Sequence, residues 1–183
     1  ASLEAGTKGI WAEKPFALSM RSARKMVKTA AERGTRLFVN HQRRYGRPFE
    51  WMKETIEEEK IGGLIGIDIV LPGTNLLNMG THLIDAALFF LGDRRAERVF
   101  AAVDLSPEAE SQGLPVEHYS LATVHFSEGT RLTVEAGREA PEKLPIIRAQ
   151  GTDGFAELHY EVPEGAQSIF RARLAGQAEI FNP

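Results

Sequence analysis

Residues 9–40 read GIWAEKPFALSMRSARKMVKTAAERGTRLFVN, and their pattern decides the fold class. Two short apolar runs, 8–12 and 36–40, flank a segment of different rhythm. Met20, Ala23, Met26, Val27, Ala30 and Ala31 recur there at the spacing of one helix face. Ser19 is a good N-cap, because its hydroxyl can accept from a free backbone N–H of the first turn. Gly34 ends the helix. Strand, helix, strand in that order predicts two parallel strands. The first strand runs into Trp11-Ala12-Glu13-Lys14-Pro15, a charged pair held by a proline.

The rhythm changes after Tyr45. Pro48 marks a helix start, and the helix 49–59 ends in Glu57-Glu58-Glu59, read as a solvated end, before the turn Gly62-Gly63. A strand is expected over 65–71 and a short buried helix over 81–91. Strands follow over 99–103, 118–126, 131–136, 146–150, 155–160 and 168–174. Phe126-Ser127-Glu128-Gly129-Thr130 is a hairpin connection. Strands that succeed one another without helices predict a mainly antiparallel sheet. The fold class is therefore α/β, a partial parallel βαβ unit followed by an α+β open-sheet domain, with domains at 1–43 and 44–183. Segments 121–126 and 132–136 carry apolar residues that read as lying on both faces, which predicts self-association through that sheet.

Composition narrows the function. The 183 residues are 43% hydrophobic, ordinary for a packed core, and carry a net charge of −3. That balance gives no electrostatic case for nucleic acid. There is no cysteine, so disulfides and thiolate chemistry are out, and a reducing, cytoplasmic setting fits. No apolar run approaches the roughly 20 residues of a membrane helix, and the first residues carry no signal-peptide pattern. His118, His125 and His159 lie in strand patterns without paired ligand spacing, so no metal site is expected. Neither a Ser–His–Asp order nor a phosphate-cradling lysine loop suggests hydrolase or kinase chemistry.

Two segments carry the chemistry. Lys14 ends a strand. Asn78-Met79-Gly80-Thr81-His82-Leu83-Ile84-Asp85 is a glycine turn that delivers His82 onto an apolar helix. Titratable groups on rigid elements are what proton exchange with a sugar hydroxyl needs. Glu13-Lys14-Pro15, then Gly80-Thr81-His82-Leu83-Ile84-Asp85, resembles the glucose–fructose oxidoreductase/inositol dehydrogenase (Gfo/Idh/MocA) family. Arg43-Arg44-Tyr45, Ile61-Gly62-Gly63 and Leu91-Gly92-Asp93 match in the same order. Each motif is weak alone; together they cover nearly the whole chain.

The resemblance implies an oxidoreductase that uses NAD or NADP on a sugar, polyol or related compound. It implies catalytic roles for Lys14, His82 and Asn78. Glu13, Lys14, Pro15 and Arg44 would meet the cofactor, and Lys14, Tyr45, Asn78 and His82 the substrate. The Lys14–Pro15 peptide would be cis. A homo-oligomer, dimer or tetramer, would form through the C-terminal sheet. No Gly-x-Gly-x-x-Gly occurs in the sequence, nor the residue that would choose between NAD and NADP. Ser2-Leu3-Glu4-Ala5-Gly6 reads as the last turn of a helix. The first part of the dinucleotide domain is therefore expected to be absent, and these residues alone to hold a dinucleotide weakly. Pro72-Gly73-Thr74-Asn75 replaces a longer connection in relatives.

Plainer readings stand beside these. An isolated Glu-Lys-Pro is usually surface. His82 could be a satisfied histidine at a helix N-terminus, where the dipole favours neutral imidazole, which is also the form a general base needs. Asp85 reads best as a tether. Arg44 and Tyr45 could be a solvated hinge pair, and His41 is read as surface. Asn78 stands where many relatives carry Asp; it keeps an acceptor but takes no proton. That departure leaves open a catalytically silent sugar-binding or assembly module.

Overall fold

A computed structural model describes residues 6–92, 94–105, 109–111, 113–137, 145–159, 169–174 and 179–181. The chain forms two compact units, Ala1–Gln42 and Arg43–Pro183. In the first, β1 (Gly9–Ala12) pairs in parallel with β2 (Arg36–Val39), joined by α1 (Met20–Glu32). Ser19 caps α1 by accepting from the Ser22 N–H at 3.2 Å, and Gly34 takes a left-handed φ of 62° after its end. Trp11 and Phe38 stack across the pair with centroids 6.3 Å apart. Of the expected helical turn at 2–6, only Gly6 lies within the described residues.

The second unit is a mixed sheet with helices on one face. Its elements are α2 (Arg47–Glu57), β3 (Leu64–Pro72), α3 (Thr81–Leu91), β4 (Ala96–Asp104), the short pair β5 (Glu110–Ser111) and β6 (Leu114–Pro115), β7 (Tyr119–Phe126), β8 (Arg131–Gly137), β9 (Ile146–Gly151), β10 (Phe155–His159), β11 (Ile169–Arg173) and β12 (Glu179–Phe181). Eight strands lie in the order β12-β11-β10-β9-β3-β8-β7-β4. All neighbours are antiparallel except β3 and β8. This parallel pair sits within an otherwise antiparallel sheet: the chain leaves β3 through α3, lays down β4 and β7, and comes back beside β3 as β8 in the same direction. α2 begins two residues before the expected start because Gly46 is its cap and Pro48 sits inside the first turn, where a missing N–H costs nothing.

Ile67, Ile69 and Leu71 of β3 continue through Leu132, Val134 and Ala136 on one side and Ala149 and Ile147 on the other. Phe170, Phe90, Leu83 and Met52 complete this core, with α2 against β10 and β11 and α3 against β3. β8 alternates: Thr133 and Glu135 take the opposite face, so the expectation of apolar residues on both faces fails there. The Ile61-Gly62-Gly63 motif also has its reason. Asp153 N–H donates to the Ile61 carbonyl at 3.0 Å, and Thr152 N–H to Gly63 at 3.0 Å. A Cβ on Gly151 would stand 2.0 Å from the Ile61 carbonyl oxygen, so only glycine admits this backbone contact.

On the open face, Glu157 is 1% exposed. Its carboxylate accepts from Arg148 Nε at 2.6 Å and Arg171 Nη2 at 2.6 Å, and lies 2.6 Å from His159 Nε2. Burial pushes its pKa up, but the hydrogen bonds of Arg148 and His159 and the charges of Arg148 and Arg171 outweigh that and hold it below the usual carboxylate range. A depressed native value means the unfolded chain takes up the proton first as pH falls. The stabilisation is present above the ordinary glutamate value, about 4.3, and is lost as pH falls through the lower native one. Glu157→Gln should therefore be less stable than wild type at neutral pH, with the gap closing in acid. Urea midpoints across that range measure it; a gap that is constant with pH would contradict the assignment.

Candidate active site

In the first unit, the carboxyl ends of two parallel strands converge on Glu13-Lys14-Pro15. Asn40 N–H donates to the Ala12 carbonyl at 2.8 Å, and Asn40 Nδ2 donates to Glu13 Oε1 at 2.8 Å. Glu13 is thus a clamp between the strand ends. The Lys14–Pro15 peptide is cis, as the resemblance implies. Lys14 emerges half-buried from this pinned segment, outside the carboxyl end of a parallel strand, where open α/β sheets receive ligands.

In the second unit, β3 turns at Gly73 (φ 68°) into a π-helical turn, Leu76–Gly80, which runs without a break into α3. Asn75 caps it: its side-chain oxygen accepts from the Asn78 N–H at 2.8 Å, while its carbonyl accepts from Met79 and Gly80 at 3.2 and 3.1 Å. The Glu117 carboxylate accepts the N–H of Leu76. Gly80 is helical (φ −57°, ψ −39°), so the expected glycine turn is absent. The site is tight, since a Cβ there would lie 3.0 Å from Leu76 Cδ2 in the wide turn and Leu76 would have to shift. His82 is therefore seven residues beyond the helical cap. The N-terminal dipole acts within the first turn, so it centres near Asn78. His82 is 4% exposed. Asn78 lies four residues earlier on the same continuous segment, at a kind of helical irregularity that is frequent in functional sites.

One turn after His82, Asp85 grips Arg44 through Nε–Oδ2 and Nη2–Oδ1 contacts of 2.6 and 2.5 Å. Asp85 is a tether, as read from sequence. Its hydrogen bonds hold the Arg44 guanidinium above its usual pKa range against the opposing effect of burial. That guanidinium also sits 5.3 Å from the Phe89 ring centroid, and Lys53 Nζ sits 4.6 Å from it. Lys53 further donates to the Phe89 carbonyl at 3.2 Å. One edge of the Arg44 guanidinium, Nε and Nη2, is thus engaged on α3, which gives Arg44 a positioning role there. Tyr45 is 77% exposed at the end of the turn Gln42–Tyr45.

Lys14, Glu13 and Pro15 thus belong to the first unit, and Arg44, Tyr45, Asn78 and His82 to the second. Asn75 and Glu117 were not anticipated. Asn75 three residues before Asn78 is a capping pattern visible in sequence; Glu117 comes from a distant segment and has no local signal. No group of three or more His, Cys, Asp or Glu among the described residues could hold a metal ion. No helix among them is long and apolar enough to cross a membrane.

Comparison with known proteins identifies a family and structural relatives. A family model described as GFO/IDH/MocA C-terminal domain matches residues 21–157. A 1,5-anhydro-D-fructose reductase of Ensifer adhaerens is 31% identical over 147 residues, 70% of this chain and 43% of that protein. Among solved structures, an inositol dehydrogenase homolog of Azotobacter vinelandii complexed with NADH and myo-inositol superposes with a TM-score of 0.81 at 17% identity, over 98% of this chain and 50% of its own. An aldose-aldose oxidoreductase of Caulobacter crescentus complexed with glycerol gives 0.80 at 16% identity, over 100% and 57%. The chain spans about half the length of these relatives.

Proposed function

The chain belongs to the GFO/IDH/MocA family, and from that premise we propose that the protein is an NAD(P)-dependent oxidoreductase acting on a sugar, polyol or related hydroxyl compound. The observation that carries this reading is His82, buried on a helix pinned at one end by Asn75 and Glu117 and on its flank by Arg44–Asp85. A base held this firmly suits proton transfer, which tolerates little misplacement. The nicotinamide supplies a two-electron acceptor for the hydride of the carbinol carbon. Glu13, Lys14 and Pro15, at the carboxyl end of β1, fit its reactive end. The fit extends no further, because the residues of a phosphate cradle are not in this sequence.

His82 accepts the hydroxyl proton as the carbinol carbon is oxidised to a carbonyl. Lys14 donates to the same oxygen and stabilises its developing negative charge. Asn78 and Tyr45 orient the substrate, and Arg44 keeps α3 in register. The protein works in the cytoplasm as a homo-oligomer through the open sheet face. Calorimetric titration of the intact protein with NADH and NADPH tests the cofactor. Micromolar binding of at least one is expected; binding of neither overturns the reading.

Asn78 favours one alternative, a silent sugar-binding or assembly module. Asn78→Asp distinguishes them. The new carboxylate should favour protonated His82. Because the base must be neutral, the acid limb of the pH–rate profile should move to higher pH. An unmoved profile in an active enzyme would mean that Asn78 does not face the reacting groups; absence of turnover in both forms would favour the module.

A further inference from the structure

β4 forms an end of the eight-stranded sheet, and every residue from Ala96 to Asp104 is exposed. Edge strands of this length are normally shortened, bulged, charged at the centre or covered, since their free backbone groups recruit other strands. β4 has its charges and its only register shift near the ends, and its centre is Val99-Phe100-Ala101-Ala102-Val103. Val99, Phe100 and Val103 are 64%, 61% and 53% exposed. The register through β7 and β8 puts Val99, Ala101 and Val103 on the same face as Ile67 and Leu132, and Arg98, Phe100, Ala102 and Asp104 on the other.

The geometry points to β4 as a self-complementary edge that pairs antiparallel with β4 of a second copy about a two-fold axis at Ala101. A two-fold perpendicular to the sheet keeps each face on its own side, so only registers shifted by two residues compete. With Ala101 on the axis, Val99 faces Val103 of the other copy, and Phe100 faces Ala102. Arg98 faces Asp104, twice by symmetry. Neither side chain makes an ion pair within its own chain among the described residues. Moving the axis to Phe100 puts Arg98 opposite Ala102 and Glu97 opposite Val103. Moving it to Ala102 puts Phe100 opposite Asp104. One register alone joins the apolar centre and closes both charge pairs. Cross-strand pairs of this kind are the unit of sheet stabilisation. The contact is an edge, separate from the open face of the homo-oligomer proposed above, and independent of catalysis.

Charge reversal tests it in the intact protein by sedimentation over a wide concentration range. Arg98→Asp and Asp104→Arg should each weaken self-association by about tenfold or more, since like charges then oppose twice per contact. Mixing the two single variants should restore association, because each reversed residue then meets its opposite. The double variant R98D/D104R should also associate like wild type. Wild-type association should weaken as salt rises. As a second measure, Ala101→Cys introduces the protein's sole cysteine beside its symmetry mate, within disulfide reach, and should yield a covalent dimer on mild oxidation. Association unchanged by either single reversal would assign it to the open face and overturn the edge pairing. Weakening without rescue in the mixture, or cover of β4 by another segment of the intact protein, would overturn it as well.

Discussion

His82→Ala is expected to slow the chemical step by about 10²-fold or more, the usual loss when a positioned general base is removed. The side chain is buried, yet α3 is held mainly by Leu83, Ala86, Ala87, Phe90 and Leu91, so the fold should survive. The defect should fall on kcat and kcat/KM together, because the proton moves only in the transition state. Lys14→Ala should give a loss of similar order by removing the donor to the developing alkoxide. If both variants turn over a known substrate at the wild-type rate, the family likeness describes the fold and not the mechanism.

Phe90→Ala should do the opposite. Phe90 is 2% exposed and stacks on Phe49 with centroids 6.3 Å apart, joining α3 to α2 beside Phe89. Truncation leaves a cavity between two helices that cannot close freely, at a cost of about 3–5 kcal/mol. Chemical denaturation should show this as a large drop in midpoint with little change in slope. Under conditions where the variant remains folded, turnover should stay within a few-fold of wild type, because Asn75, Glu117 and the Arg44–Asp85 pair still hold the His82 segment. A change below 1 kcal/mol would mean that α3 is secured by something other than this packing.

The two variants also mark what could be read in the sequence. Periodicity and capping located α1, α3 and most strands, because burial of one face writes itself into residue spacing. The parallel β3–β8 pair was hidden, since strand direction depends on the route between strands. The Arg148–Glu157 pair was legible in principle: counting outward from the Thr152-Asp153-Gly154 turn puts the two residues opposite each other. Glu117 was not, because it reaches Leu76 across 41 positions. The Arg44–Asp85 contact was hidden for a similar reason. The nearest sequence neighbours of Arg44 suggested a hinge, while its partner Asp85 sits on a distant helix. Gly80 was read as a turn because glycine usually marks one; here it is helical and packs close to Leu76.

The most direct test follows the hydrogen itself. The intact protein is incubated with NAD+ or NADP+ and a panel of polyols and sugars deuterated at the carbinol carbon, and the nicotinamide product is analysed by mass spectrometry. Deuterium on the reduced nicotinamide, formed by wild type and about 10²-fold more slowly by His82→Ala, is the predicted result. Unlabelled, unreduced dinucleotide with every compound, from a protein that still binds one of those sugars, would contradict hydride transfer and leave a binding module with an enzyme's fold.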